Sequence, residues 1–484
     1  MKKIFVFFNL LLFYIVVNSQ AAEISSPDRF EKNKNMFNAY LRYCWFDTQV
    51  ENEAVEALLG ELPTGNKLGA MAIGGLFDFN SKYYGGFIGV DASIYAVGKL
   101  DSKKESRGIL KEESDGNNVS FAKIGQLYIK MKHEAQNWSV DTQIGRGRFD
   151  AASISTLDTR VAPSSYQGMR AHFNVKNFSV WKFPGNFTLE GAYINRTSYY
   201  DTDKFEYLYS ESGQTIDSVV TYGAILDLKA VELVLAQGIA KDFNINTSLG
   251  LTLKAPLGDN GGIMLDTKLF KYKANGKIWE TDLVAGDAAY DDEAKLYNVN
   301  LGASYKSSFG KFRFGLSYTK CDAELSTFTS FGTPMLGYAY LDHAENMASR
   351  REAWTISGND FNNEGEQAWQ IAVEYRLPSS LGKNITPFPL DDITFMFIYK
   401  EGFFDALNPL PLLSGGIPIM TDIKERQAEY RAYYRFDEEK YSGVSIGMAF
   451  IDYRINEDFV ALVSAQPNNV MTGREFRLYI DYAF

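Results

Sequence analysis

Arg431 and Arg435 stand four residues apart in a segment, 425–436, that sets Tyr430, Tyr434 and Phe436 on one parity against Glu425, Gln427, Glu429, Arg431 and Arg435 on the other. A guanidinium holds a carboxylate through two parallel N–H···O bonds and stays charged at any physiological pH. Arginines on one face of an extended segment are therefore suited to receiving an anion. Four residues of strand cover about 13 Å at ~3.3 Å each, which lets an anion pass between guanidiniums without one deep trap. The same parity reading puts Arg42, Arg170, Lys306, Arg313, Arg376, Lys400 and Arg477 on polar faces. Arg313, Arg376, Lys400, Arg431, Arg435 and Arg477 fall in the last six extended segments, so they form one contiguous stretch of wall. Glu374, Glu425, Glu429, Glu475 and Asp481 share those faces. A basic ladder and a self-neutralising network both fit this pattern.

Other side chains offer less chemistry. The three histidines, His133, His172 and His343, have no nucleophile at a spacing that would make an acyl-transfer pair. His133 falls in an expected short turn, His343 in a long loop, and His172 on a polar strand face beside Arg170. No CxxC, HExxH, GxSxG or P-loop is present, and no catalytic residue, cofactor or metal site is expected. Asp287, Asp291, Asp292 and Glu293 are clustered without the spacing of a calcium loop, and Asp391-Asp392 reads as a turn. Cys44 and Cys321 are too few and too far apart for a disulfide scaffold.

The polar faces must be held by strands. Segment 474–484 sets Phe476, Leu478, Ile480, Tyr482 and Phe484 against Glu475, Arg477, Tyr479 and Asp481, and segments 366–377 and 295–306 repeat that period of two. Such segments are expected near 37–47, 69–79, 84–97, 121–132, 136–147, 168–177, 187–197, 218–228, 231–241, 247–254, 262–273, 295–306, 311–320, 366–377, 391–401, 425–436, 442–454 and 474–484. Long connectors such as 98–120, 148–167, 274–294, 321–365, 402–424 and 455–473 alternate with short ones such as 80–83, 229–230 and 307–310. The gap at 242–246 is short for its place. Lipid offers a backbone no hydrogen bonds, so a spanning sheet must close on itself. The expected fold is all-β: a transmembrane antiparallel β-barrel of about 18 strands, with short periplasmic turns and long extracellular loops. Trp45, Trp138, Tyr305, Tyr318, Tyr399, Tyr434 and Tyr453 lie at strand ends, as interfacial girdles require.

Composition agrees once read by parity. The chain has 484 residues, 45% hydrophobic, with 30 Tyr, 35 Phe and only 13 Pro, too apolar for disorder and too poor in proline for many linkers. Mean hydropathy of −0.22 and no second long apolar run exclude a bundle of membrane helices. A formal net charge of −11 argues against nucleic-acid binding. Residues 1–21 read as an export signal: Lys2 and Lys3, an apolar run from Ile4 to Val17, then small residues at Ser19 and Ala21. Its removal takes away two lysines and no acids, leaving −13, and 22–484 is expected to be one barrel domain. Phe484 with Tyr482 resembles the C-terminal signature read by the outer-membrane assembly machinery.

Three stretches carry a further resemblance: Gly89-Val90-Asp91-Ala92 with Lys99-Leu100-Asp101-Ser102, then Phe121-Ala122-Lys123-Ile124-Gly125, then Leu157-Asp158-Thr159-Arg160-Val161-Ala162-Pro163-Ser164-Ser165-Tyr166-Gln167-Gly168. In order and spacing they are similar to the outer-membrane porin D (OprD) family of substrate-specific channels. That resemblance implies a bacterial outer-membrane barrel, monomeric or weakly trimeric, set in lipid and lipopolysaccharide, whose third extracellular loop folds inward. It makes 148–167 the constriction loop, with Asp158, Arg160, Pro163 and Tyr166 as its candidate residues. Pairing of Asp158 with Arg160 merely to shape the loop is the alternative, since Pro163 and Gly168 also suit a fixed turn. It further implies passive diffusion of small polar or anionic solutes, carboxylates and amino acids, along a basic wall: here Arg42, Arg170, Arg313, Arg376, Lys400, Arg431, Arg435 and Arg477. The competing function is a surface-interaction barrel, an adhesin or receptor working through its extracellular loops.

Overall fold

A computed structural model of the chain describes residues 36–50, 67–104, 106–156, 158, 160–180, 183–209, 213–281, 292–322, 365–378, 393–408, 419–436, 443–455 and 473–483. The signal segment 1–21, His343, Asp287, Asp291, the Asp391-Asp392 pair and Phe484 lie outside these.

Period-two alternation becomes eighteen paired strands. They are β1 (Phe37–Val50), β2 (Lys67–Asn80), β3 (Ile88–Ser102), β4 (Phe121–Glu134), β5 (Trp138–Gly147), β6 (Ser165–Val180), β7 (Phe183–Ser198), β8 (Val219–Asp227) and β9 (Val231–Ala240). The circuit continues with β10 (Asn244–Leu257), β11 (Gly261–Ala274), β12 (Glu293–Ser307), β13 (Gly310–Asp322), β14 (Gln367–Arg376), β15 (Thr394–Asn408), β16 (Ile419–Arg435), β17 (Val444–Ile455) and β18 (Gly473–Ala483). Each strand pairs antiparallel with the next. β1 pairs with β18 from Tyr40 opposite Ala483 to Val50 opposite Gly473, so the sheet closes and leaves no edge. Every expected strand has its counterpart. Several run longer than the sequence pattern suggests, most of all β15 and β16, which reach Asn408 and begin at Ile419.

One parity of each strand forms an exposed apolar coat, for example Leu41, Ile73, Tyr297, Val299, Leu301, Phe450 and Ile480. The opposite parity is the inner wall. Trp138, Tyr305 and Tyr318 lie on the outer coat as girdle residues should. Tyr453 does not: it is 6% exposed, shares the inner parity of Ala449 and Ile451, and donates its hydroxyl to Glu425 at 2.5 Å. A phenol at a strand end satisfies an interfacial pattern in either direction, and here the buried carboxylate captures it. His133 also departs from expectation, since β4 runs on to Glu134 and the imidazole lies against the Trp138 ring at 5.0 Å.

Two places in the wall need glycine. Between β3 and β4 the register slips at Ser93/Ile94, leaving Gly125 opposite no partner, and a Cβ there would lie 2.0 Å from the buried Tyr95 ring. Gly168, at a second slip between β6 and β7, has φ +158° and a Cβ there would meet the Tyr193 carbonyl at 1.9 Å. Both glycines belong to the stretches singled out above. The short connector after β9 is covered rather than long. A one-turn helix α1 (Lys277–Thr281) donates the Ile278 and Trp279 amides to the Asp242 carbonyl, and Trp279 packs on Phe243 with ring centres 5.7 Å apart.

Two apolar clusters sit on the inner side. One gathers Tyr166, Ile194, Val219, Phe270, Leu296 and Cys321 from β6, β7, β8, β11, β12 and β13. The other gathers Tyr40, Cys44, Phe46, Ala72, Tyr95 and Tyr479 from β1, β2, β3 and β18. The two thiols are thus buried in separate clusters and not joined to each other.

Candidate functional site

The connector between β5 and β6, residues 148–164, contributes to both clusters: Phe149 and Ile154 to the first, Val161 and Ala162 to the second. A polar loop would stay in water. This one carries Ala151, Ala152, Ile154, Val161 and Ala162, all buried, and transferring each from water to an apolar contact favours docking. Tyr166, at the start of β6, fixes the segment by donating its hydroxyl to the Ser155 carbonyl at 2.9 Å. Ser153 donates its amide to Thr221 Oγ1 on β8 at 2.9 Å, and Pro163 is buried.

Arg42 on β1 holds the other end. Fully buried, it donates Nε and Nη2 to the two oxygens of Asp481 on β18 at 2.6 and 3.1 Å. Its Nη1 donates to the main-chain carbonyls of Asp158 at 3.1 Å and Arg160 at 2.9 Å, with the Asp158 carboxylate 3.5 Å away. One guanidinium therefore ties the first strand, the last strand and the connector. Such a fork is what distinguishes arginine from lysine at a junction. Arg160 lies over the Phe46 ring at 4.9 Å and the Tyr200 ring at 5.0 Å, and donates Nε to the Arg107 carbonyl at 3.0 Å.

Around Phe46 a second group forms. Arg477 lies over its ring at 4.8 Å, Glu475 accepts from Arg477, from Arg107 at 3.0 Å and from Thr48 at 3.0 Å. Three arginines, 107, 160 and 477, thus converge on one aromatic ring and one carboxylate. Sequence reasoning finds Arg160 and Arg477 but misses Arg107, which sits in a loop where parity carries no information. It also misses Lys123, within one of the quoted stretches, whose ammonium is buried and donates to Ser198 Oγ at 2.9 Å and to the Tyr199 carbonyl.

The remaining basic candidates all lie on the inner parity, and three of them have a carboxylate at contact distance. Arg313 on β13 faces Glu374 on β14 at 3.1 Å. Arg431 meets Glu429 on its own strand at 2.5 Å. Arg170 on β6 meets Asp141 on β5 at 2.7 Å. Arg376 stands opposite Lys311, Lys400 stands between Gln370 and Gln427, and Arg435 stands opposite Ser445. His172 faces Glu190 at 3.7 Å and the Asp150 carbonyl at 3.0 Å, so it borders the connector rather than any nucleophile. Of the acidic loop cluster, Asp292 accepts from Trp279 and Glu293 pairs with Lys271 at 2.7 Å, both structural uses. At the loop rim Lys111 reaches Asp203 at 2.9 Å, and that hydrogen bond holds the Asp203 carboxyl below the ordinary carboxylate range.

The arrangement is a closed wall, apolar outside and charged inside, with one connector docked on two separate arcs of its inner face. The fold is similar to that of solved crystal structures. OccAB3 of Acinetobacter baumannii superposes with a TM-score of 0.68 at 21% identity, over 93% of this chain and 98% of that one. OpdK of Pseudomonas aeruginosa, solved with vanillate, gives 0.63 at 16% identity, over 93% and 98%. Among curated proteins, the membrane-associated protein UidC of Escherichia coli (strain K12) is 22% identical over 394 residues, 76% of this chain and 79% of that protein. The family model for outer membrane porins of the OprD family matches residues 36–484. A match across the whole barrel, including the connector, places the chain in the OprD family of bacterial outer-membrane porins.

Proposed function

We propose that this porin passes small carboxylate-bearing solutes, amino acids and other organic acids, down their gradients through a lumen narrowed by 148–164. The observation that carries the reading is the docking of that connector on two arcs of the inner wall, with Arg42 clamping the Asp158 and Arg160 carbonyls. A segment held at both ends narrows the aqueous path without closing on its own, and transport needs no energy beyond the solute gradient. In this reading Asp158 and Arg160 form the rim of the narrow zone through their main chain, while Pro163 and Tyr166 fix its shape.

The basic wall supplies the pull. Arg477 and Arg107 both meet the Glu475 carboxylate, and Arg160 lies beside them over the Phe46 ring, which sets three guanidiniums next to the connector. Arg313, Arg376, Lys400, Arg431, Arg435 and Arg170 extend it along the lumen, moderated by their acidic neighbours. OpdK has been solved with vanillate, an aromatic carboxylate, which fits the same chemistry. Closure of the sheet within one chain suits a channel that conducts as a monomer or in a weak trimer, its apolar coat in lipid and lipopolysaccharide.

A planar-bilayer recording tests the reading. The expected result is a conductance with an anion-side reversal potential, reduced by added amino acids and carboxylates. No conductance at any voltage would sink it and leave a surface-interaction role.

A further inference from the structure

The inner wall carries a second row of polar groups, centred on the side of the barrel formed by β10 to β16. Read along the hydrogen-bonding direction, Thr252 stands opposite Asp266, Asp266 opposite Asn300, Asn300 opposite Ser317, Ser317 opposite Gln370, Gln370 opposite Lys400, and Lys400 opposite Gln427. Seven consecutive strands, β10 to β16, each place one hydrogen-bonding side chain on this row. Five of the seven are uncharged amides or hydroxyls. The next inward row on β11 to β14 is Met264, Gly302, Gly315 and Ala372, in the same register. With no side chain beyond a methyl on three of these strands, the wall is recessed directly beside the amides.

The row is only partly occupied by its own hydrogen bonds. Thr252 donates to Asp266 at 2.9 Å, and Asn300 donates Nδ2 to Asp266 at 2.9 Å and to Asn298 Oδ1 at 2.6 Å. These bonds use the donors and leave acceptors over. Asn300 Oδ1 has no hydrogen-bond partner, nor has Gln370 Oε1, and Gln370 is only 2% exposed. An amide oxygen withdrawn from water with no donor carries an uncompensated desolvation cost, so a ligand that brings donors to this place is favoured over one that cannot. Carboxylates bring none, while alcohols bring one per hydroxyl group.

We infer that the Asn300–Ser317–Gln370 row, with its recess at Gly302, Gly315 and Ala372, is a binding site for the vicinal hydroxyl groups of polyhydroxylated solutes. It rests on the channel reading above and adds a solute class to it: the favoured cargo carries hydroxyl groups along its carbon chain, with or without an acid at one end. The arginine arc recognises the charge, and the amide row recognises the chain.

Neutral probes separate the two. The experiment records chloride current through the purified full-length porin in a planar bilayer. A pentitol is added in one arm and triethylene glycol, of similar size but with hydroxyls only at its ends, in the other. The pentitol should reduce the current at least about twofold more than the glycol at equal concentration. Gln370→Leu should cut that difference about threefold to tenfold, the worth of one hydrogen bond, with the current in chloride alone unchanged. Ser317→Ala, a smaller change on the open part of the row, should lower it about twofold and keeps the test alive if Gln370→Leu does not fold. Equal effects of the two probes on the wild-type current overturn the inference while leaving the channel reading intact. Equal losses for both probes in the variants mean a change of pore shape and overturn it too. No chloride current at all overturns the channel reading and this inference with it.

Discussion

The two arcs of the inner wall handle polar groups in opposite ways. On β1, β16 and β18 almost every charge meets an opposite charge at contact distance: Arg42 with Asp481, Arg431 with Glu429, Arg477 with Glu475. Along the Asn300, Ser317 and Gln370 row of β12, β13 and β14 the groups are neutral, and the Asn300 and Gln370 side-chain oxygens have no hydrogen-bond partner. Removing a charge from water costs several kcal/mol unless a partner is supplied, so ions on a wall must be matched within the wall. An amide is cheaper to leave unmatched and can wait for a ligand. In the proposed reading the charged arc does structural work first, with selectivity as the remainder left by imperfect neutralisation, and the neutral row is free to discriminate.

Breaking the clamp tests the first half of that contrast hardest. Arg42→Met leaves Asp481 without its bidentate donor and frees the carbonyls of Asp158 and Arg160. Loss of one member of a buried pair costs about 3–5 kcal/mol. The expected outcome is a lower unfolding midpoint in detergent together with a larger, noisier single-channel conductance. A stable variant with unchanged conductance would show that the connector is held elsewhere.

Selectivity is the next largest effect. Arg431→Ala with Arg435→Ala removes two cations and leaves Glu429 facing the lumen without its 2.5 Å partner. The anion-to-cation permeability ratio should fall about threefold to tenfold, corresponding to roughly 0.7–1.4 kcal/mol. Adding Glu429→Gln should recover most of the loss. An unchanged reversal potential would mean that the arc is fully self-neutralised and that its arginines only build the wall.

How much of this was legible beforehand follows from which contacts are periodic. Strand parity is local, so the facing of Arg42, Arg313, Arg431 and Arg477 could be read from neighbouring residues. Closure also could, because an apolar coat on eighteen segments has no other way to satisfy its backbone. What Arg42 touches could not, since Asp158 and Asp481 reach it through a connector and through barrel closure, neither of which has a period. Arg107 was invisible for the same reason. Tyr453 was misread because an aromatic at a strand end looks alike on both faces until its hydroxyl finds Glu425. The amide row has no signature in the sequence because its members are scattered over seven strands and only register aligns them.

A finer test of the clamp is Tyr166→Phe. The hydroxyl donates to the Ser155 carbonyl inside an apolar cluster, so its loss removes one hydrogen bond and leaves a buried acceptor, worth about 1–2 kcal/mol. Ring packing against Phe149 survives. Mean conductance and reversal potential should stay within error of wild type, while brief current fluctuations become more frequent. If Arg42→Met and Tyr166→Phe raise the fluctuations independently, the connector has two separate anchors, one beside each apolar cluster.

The smallest effect lies at the rim. Lys111 donates to Asp203, lowering that carboxyl below its ordinary value of about 3.9. A group with a depressed native pKa adds stability above its unfolded value, and the contribution is lost as pH falls through the native one. The tie between the two loops is therefore intact at neutral pH and released only as pH falls through the depressed native value, below the ordinary carboxylate range. Both groups are largely in water, so the consequence is local. Spin labels at positions 113 and 204 should report a distance distribution that is narrow at pH 7 and broadens in acid. In Asp203→Asn the distribution should be broad at both, with no acid transition left. A wild-type distribution equally narrow at pH 7 and in strong acid would mean that packing, and not this ion pair, sets the rim, extending to the loops the neutral arc's way of holding its place.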